Sequence, residues 1–82
     1  MGTVMSELRE GERGTVLALR LPPERTAPLT RLGLLPGTEV LCLRRSPLGD
    51  PTAYRFRGTI VALRRQDCAC ISLKEGIACN TP

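Results

Sequence analysis

The sequence predicts a small all-β domain, an antiparallel barrel of about five strands, closed or half-closed, with one short helix after the first strand. Three observations carry this expectation. Short apolar runs recur along the chain, separated by turns marked with glycine and proline. Only one segment carries helical punctuation at both ends. Eighty-two residues also leave room for one thin core and no second domain.

The elements follow in order. Residues 1–8 read as a loose lead-in with Leu8 as its apolar anchor, and Arg9 to Gly14 as a charged turn. Thr15 to Leu21 is an apolar strand stopped by Pro22-Pro23. The helix comes next. Thr26 is placed to cap its N-terminus, Pro28 falls in the first turn, and Leu29 and Leu32 share a face. Arg31 suits the dipole of the last turn, Gly33 suits a left-handed cap, and Pro36-Gly37 forms a turn.

The rest is strand-like. Val40 to Arg45 makes a second strand. Ala53 to Arg57 alternates, with Tyr54 and Phe56 on the inward face and Arg55 and Arg57 on the other. Gly58 marks a reversal into a strand from Thr59 to Arg64, and "RRQD" (Arg64 to Asp67) is a polar break. Ala69, Ile71 and Leu73 then point inward from a last strand. Residues 9–74 are thus the folded domain, and residues 75–82 lack a pattern and are expected to fray.

Composition excludes much. The chain has no histidine, so a serine or cysteine nucleophile would lack its usual base. The eight acidic residues are dispersed, which does not suit paired-carboxylate catalysis. No glycine-rich phosphate loop is present. The sequence therefore predicts no enzyme and no cofactor. Net charge is +4, from arginines scattered along the chain, with Lys74 the one lysine. Tyr54 and Phe56 are the only aromatics, and as inward residues they offer no stacking platform, so no nucleic acid is expected as a partner. With no long apolar span and no leader, the reading is a cytoplasmic protein without membrane insertion of its own.

Four cysteines remain, Cys42, Cys68, Cys70 and Cys79. Without a secretory signal they are read as free thiols. Cys68 and Cys70 would lie on one side of a strand, and with Cys79 from the tail they make the alternative reading, a transition-metal site. Their spacing is not that of a Cys-x-x-Cys pair, and small core hydrophobe is the simpler role, as for Cys42. No metal ligand is assigned on this basis.

Two loops carry the functional expectation. In Leu32-Gly33-Leu34-Leu35-Pro36-Gly37, Leu32 is expected to fill the barrel end. At least one of Leu34 and Leu35 faces out, because neighbours in an extended segment point opposite ways. In "SPLGDP" (Ser46 to Pro51), Pro47 and Pro51 stiffen the backbone, Gly49 allows positive φ and Asp50 can bond its own turn. Two readings of Leu48 stand: it tucks back onto the barrel as part of a well-made turn, or it is held outward on a low-entropy loop, ready to fill a partner's pocket, and the second is the functional expectation.

These two motifs, followed by Val61-Ala62-Leu63-Arg64, resemble the FeoA proteins of bacterial ferrous iron uptake over about residues 6–74. The resemblance implies an SH3-like barrel with a helix after its first strand. It also implies an accessory role beside the FeoB permease, a ferrous iron transporter with a cytosolic GTP-binding domain. It implies Leu34, Pro36, Gly37, Leu48, Gly49, Asp50 and Pro51 as positions of the family pattern, and the expected partner-binding residues are Leu34, Leu35, Pro36, Leu48, Gly49, Asp50 and Pro51. It would place the protein at the inner face of the plasma membrane through its partner. Self-association through the apolar loop is compatible with this reading. A similar module closes metal-dependent repressors, but no DNA-binding helices precede this one, so a free-standing protein is expected.

Overall fold

The computed structural model describes residues 3–74. Six strands form one curled antiparallel sheet: β1 (Thr3–Val4), β2 (Arg13–Leu19), β3 (Glu39–Arg45), β4 (Thr52–Phe56), β5 (Thr59–Leu63) and β6 (Ile71–Leu73). Their spatial order is β1-β6-β2-β3-β4-β5. β2 belongs to both halves of the sheet. Its first residues pair with β3 (Gly14↔Val40), and its last pair with β6 (Leu19↔Ile71) across an irregularity between Val16 and Ala18. That irregularity bends the sheet into a half-closed barrel, as bulges do. Gly14 sits where the wall meets β6, and a Cβ there would lie 2.7 Å from Leu73 Cδ1. A side chain there would require the tip of Leu73 to shift.

The alternation of β4 holds. Tyr54 and Phe56 are buried and Arg55 is exposed, while Val16, Val40, Cys42, Ile71 and Leu73 complete the interior. The Tyr54 hydroxyl donates to Met5 O at 3.3 Å, satisfying the polar end of an otherwise apolar side chain. β4 and β5 are joined by Arg57-Gly58, both at positive φ (53° and 74°), the two-residue turn that matches strand twist.

Several expectations need correction. The lead-in is not loose: β1 pairs with β6 and a 3-10 turn (Met5–Glu7) follows, so that Met5 joins Leu8 in the core. The Arg45 guanidinium donates to Ser6 O and Leu8 O, fastening this segment to β3. The helix α1 (Pro23–Arg31) begins at the second proline rather than after Thr26. Proline at the first helical position lacks only an N–H that has no partner there anyway. Thr26 instead donates its hydroxyl to Leu21 O at 3.0 Å.

Leu32 does not fill the barrel end; it is 42% exposed. The "RRQD" break is one helical turn, α2 (Arg65–Cys68), and it moves Cys68 off the last strand into the core and leaves Ala69 outside. α2 is tied to α1 by the Arg25–Asp67 ion pair. Residues 75–82, including Cys79 and the expected frayed tail, lie outside the described residues.

Candidate partner-docking site

The two leucine-bearing motifs flank β3, one before it and one after. Seven residues of strand separate them, roughly 20 Å at the usual rise. The expected partner-binding residues therefore divide between two ends of the barrel. Leu34, Leu35 and Pro36 stand at one end, and Leu48, Gly49, Asp50 and Pro51 at the other.

At the first end, α1 closes in a Schellman arrangement. Gly33, at φ 104°, donates its N–H to Thr30 O at 3.0 Å, and Leu34 donates to Leu29 O at 2.9 Å. This motif brings the leucine after the glycine back onto the helix, and Leu34 is fully buried against the core that includes Leu29. Leu34 is therefore withdrawn from any docking surface. Leu35 faces out at 36% exposure, as its opposite parity requires. Thr38 locks the turn: its hydroxyl donates to Gly33 O at 2.9 Å and accepts from Leu35 N at 3.2 Å.

At the second end the loop is braced at three points. Gly49 donates to Ser46 O at 2.8 Å, closing a β-turn with Pro47 and Leu48 in the middle. Ser46 donates to Pro51 O at 3.2 Å, closing the neck. Asp50 does not bond its own turn; its Oδ1 accepts from Arg65 N at 2.8 Å, so the loop is moored to α2. Below the neck, Arg45 N donates to Glu10 Oε2 at 2.9 Å. Gly49 has φ 85° with open space around its Cα. On this frame Leu48 is 93% exposed, the most open large apolar side chain among the described residues. Proline at the second turn position fixes the backbone there.

Beside the loop runs a groove of about 590 Å³ lined by Arg44, Arg45, Ser46, Pro47, Pro51, Ala53 and Ala62. Its two alanines are paired across β4 and β5. The Ser46 hydroxyl oxygen is buried there without a partner among the described residues.

The cysteines are dispersed. Cys42 and Cys68 are buried, and burial pushes the Cys42 thiol up and the Cys68 thiol up to about 11. Cys70 is in the turn before β6, and its thiol lies 3.6 Å from Gln66 O. Cys68 and Cys70 do not share a strand face as expected. Among the described residues no three of cysteine, aspartate, glutamate or histidine gather as a metal would need. What the surface offers, among the described residues, is a braced apolar loop.

That architecture defines a small SH3-like barrel. A family model for the FeoA domain matches residues 3–75. The chain belongs to the FeoA family. The FeoA protein of Chlorobium tepidum is 32% identical, with a TM-score of 0.83 over 87% of this chain and 68% of that one. FeoA of Stenotrophomonas maltophilia, solved with zinc and described as a prokaryotic SH3 domain protein, is 24% identical with a TM-score of 0.76, over 88% and 89% of the two chains. A manganese-dependent transcriptional repressor shares the fold at a TM-score of 0.79 and 17% identity, over 89% of this chain and 36% of its own. Among the described residues no helix is long and apolar enough to cross a membrane.

Proposed function

We propose that the protein is an accessory factor of bacterial ferrous iron uptake, acting as a protein-binding module on the cytosolic part of the FeoB permease and thereby modulating Fe2+ transport. The iron-transport role follows from family membership, and the FeoA of Stenotrophomonas maltophilia is itself described as a candidate ferrous iron transport activating factor. The observation that carries the docking reading is Leu48, 93% exposed on a loop held at three points. An apolar side chain on a rigid turn loses little conformational entropy on entering a pocket, which favours its use as an anchor. Gly49, Asp50 and Pro51 hold that anchor out, and Leu35 and Pro36 offer a second, smaller contact at the far end of β3.

Isothermal titration of the full chain with the FeoB cytosolic domain tests this. Leu48→Asp is expected to weaken binding at least tenfold, and Asp50→Ala to weaken it less, with circular dichroism unchanged. Equal affinity for wild type and both variants would overturn the docking reading.

A further inference from the structure

The last strand of the sheet order, β5, has one neighbour, β4, and its other side is free among the described residues. Which groups it presents follows from the hairpin. A two-residue turn makes the flanking pair, Phe56 and Thr59, a hydrogen-bonded pair, and hydrogen-bonded and non-bonded pairs alternate from there. Thr59, Val61 and Leu63 thus bond to β4, while Ile60 and Ala62 aim their N–H and C=O groups away from it. Both residues are also exposed at the side chain, Ile60 at 63%.

Native edge strands are guarded by proline, an inward charge, a bulge or shortness. β1, the opposite edge, is guarded by being two residues long. β5 reads Thr-Ile-Val-Ala-Leu, with regular pairing to β4 and no charge or proline within it.

We propose that β5 is a strand-acceptor edge that takes an extended, acidic-flanked segment of a partner protein, pairing through Ile60 and Ala62. Charge selects the occupant. Arg57 and Arg64 bracket the strand, and Arg55 stands beside Ile60 on the outer face. All three are exposed, and none makes an ion pair among the described residues. A second copy of the chain fits poorly. β5 and the residues flanking it, Arg57, Gly58 and Arg64, hold no acidic side chain, so a second copy would set one arginine-flanked edge against another. An incoming strand with apolar residues opposite Ile60 and Ala62 and carboxylates at each end satisfies both the backbone groups and the arginines. This goes beyond the Leu48 reading and does not depend on it, since it needs neither that loop nor any particular partner.

The test is amide hydrogen exchange followed by NMR on the full chain. The probe is a nine-residue peptide of alternating valine and threonine with paired glutamates at both ends. In the free protein the Ile60 and Ala62 amides are expected to exchange at least a hundredfold faster than those of Val61 and Leu63. Saturating peptide is expected to slow both at least tenfold. A lysine-flanked peptide should bind at least tenfold more weakly.

Ile60→Lys, a change on the exposed face, is expected to weaken binding of the acidic peptide several-fold, and Ala62→Pro to abolish it. Should Ala62→Pro unfold the chain, the exchange pattern and Arg64→Glu, expected to cost about tenfold in affinity, decide the matter. Protection of Ile60 and Ala62 in the free protein would overturn the proposal. If that protection did not vary with concentration, residues 75–82 would be the occupant, and if it did, a second copy would be. Equal binding of the two peptides would overturn the charge selection.

Discussion

The turns at the two ends of β3 are built from the same materials, leucine, glycine and proline, and treat their leucines in opposite ways. Leu34 has no exposed surface and Leu48 is 93% exposed. Backbone geometry separates them. A glycine after a helix turns the next residue back toward the last helical turn, so Leu34 is drawn inside. In the proline-led turn that Gly49 closes onto Ser46, the third residue, Leu48, stands in solvent. Apolar character alone does not say which side of a surface a loop residue occupies; the hydrogen bonds of the turn do.

Substitutions can break or sharpen this contrast. The largest effect is expected at Leu34→Ala, a loss of about 3 kcal/mol in denaturant unfolding, since a fully buried leucine leaves a cavity. A loss below about 1 kcal/mol would mean that the helix exit is not part of the core.

Alkaline unfolding comes next. The folded protein holds the Cys68 proton up to about 11, against 9.0 for an ordinary thiol, and burial is the main cause. Between those values the unfolded chain has released a proton that the folded one keeps. Stability is therefore fully present below pH 9 and falls, by roughly 2 kcal/mol, as pH rises through that window. Burial raises Tyr54 and Cys42 in the same direction, so Cys68→Ala should make the decline shallower without abolishing it. Denaturant midpoints measured across that range would show it.

Asp50→Ala removes the acceptor for Arg65 N and is expected to cost about 1 kcal/mol while loosening the loop. Heteronuclear relaxation should register the change at Leu48 and Gly49. Leu48→Ala, by contrast, should leave stability within about 0.5 kcal/mol of wild type. A larger loss would show that Leu48 packs on the barrel after all.

Much of this architecture is legible in the sequence, for physical reasons that differ by element. Tyr54 and Phe56 alternate with Arg55 and Arg57, so period and polarity agree and the buried face is unambiguous. The "SPLGDP" turn reads well because proline and glycine restrict the backbone locally. Leu34 was open to a correct reading too, since Leu29, Gly33 and Leu34 have the spacing of a Schellman cap and its apolar contact.

Other features depend on partners far along the chain. Asp50 bonds Arg65, fifteen residues away, and no local pattern announces that. One turn of helix at Arg65–Cys68 is too short to show periodicity, yet it decides where both Cys68 and Cys70 go. The buried lead-in is hidden likewise, because a two-residue strand is defined by its partner β6 rather than by its own composition. The free edge of β5 was not read from the sequence either. An apolar pentapeptide looks like any interior strand until the order of the sheet leaves one side open.

The double membership of β2 also bears on how the chain acquires its shape during synthesis. One half of that strand finds its partner β3 some twenty-five residues downstream, but the other half waits for β6, more than fifty residues away. Pairings so distant close slowly, and the ribosome delivers the waiting partner last. A nascent chain halted before Ile71 would keep the β3–β4–β5 meander yet leave Met5, Leu8 and Val16 without a lid, a form suited to capture by chaperones.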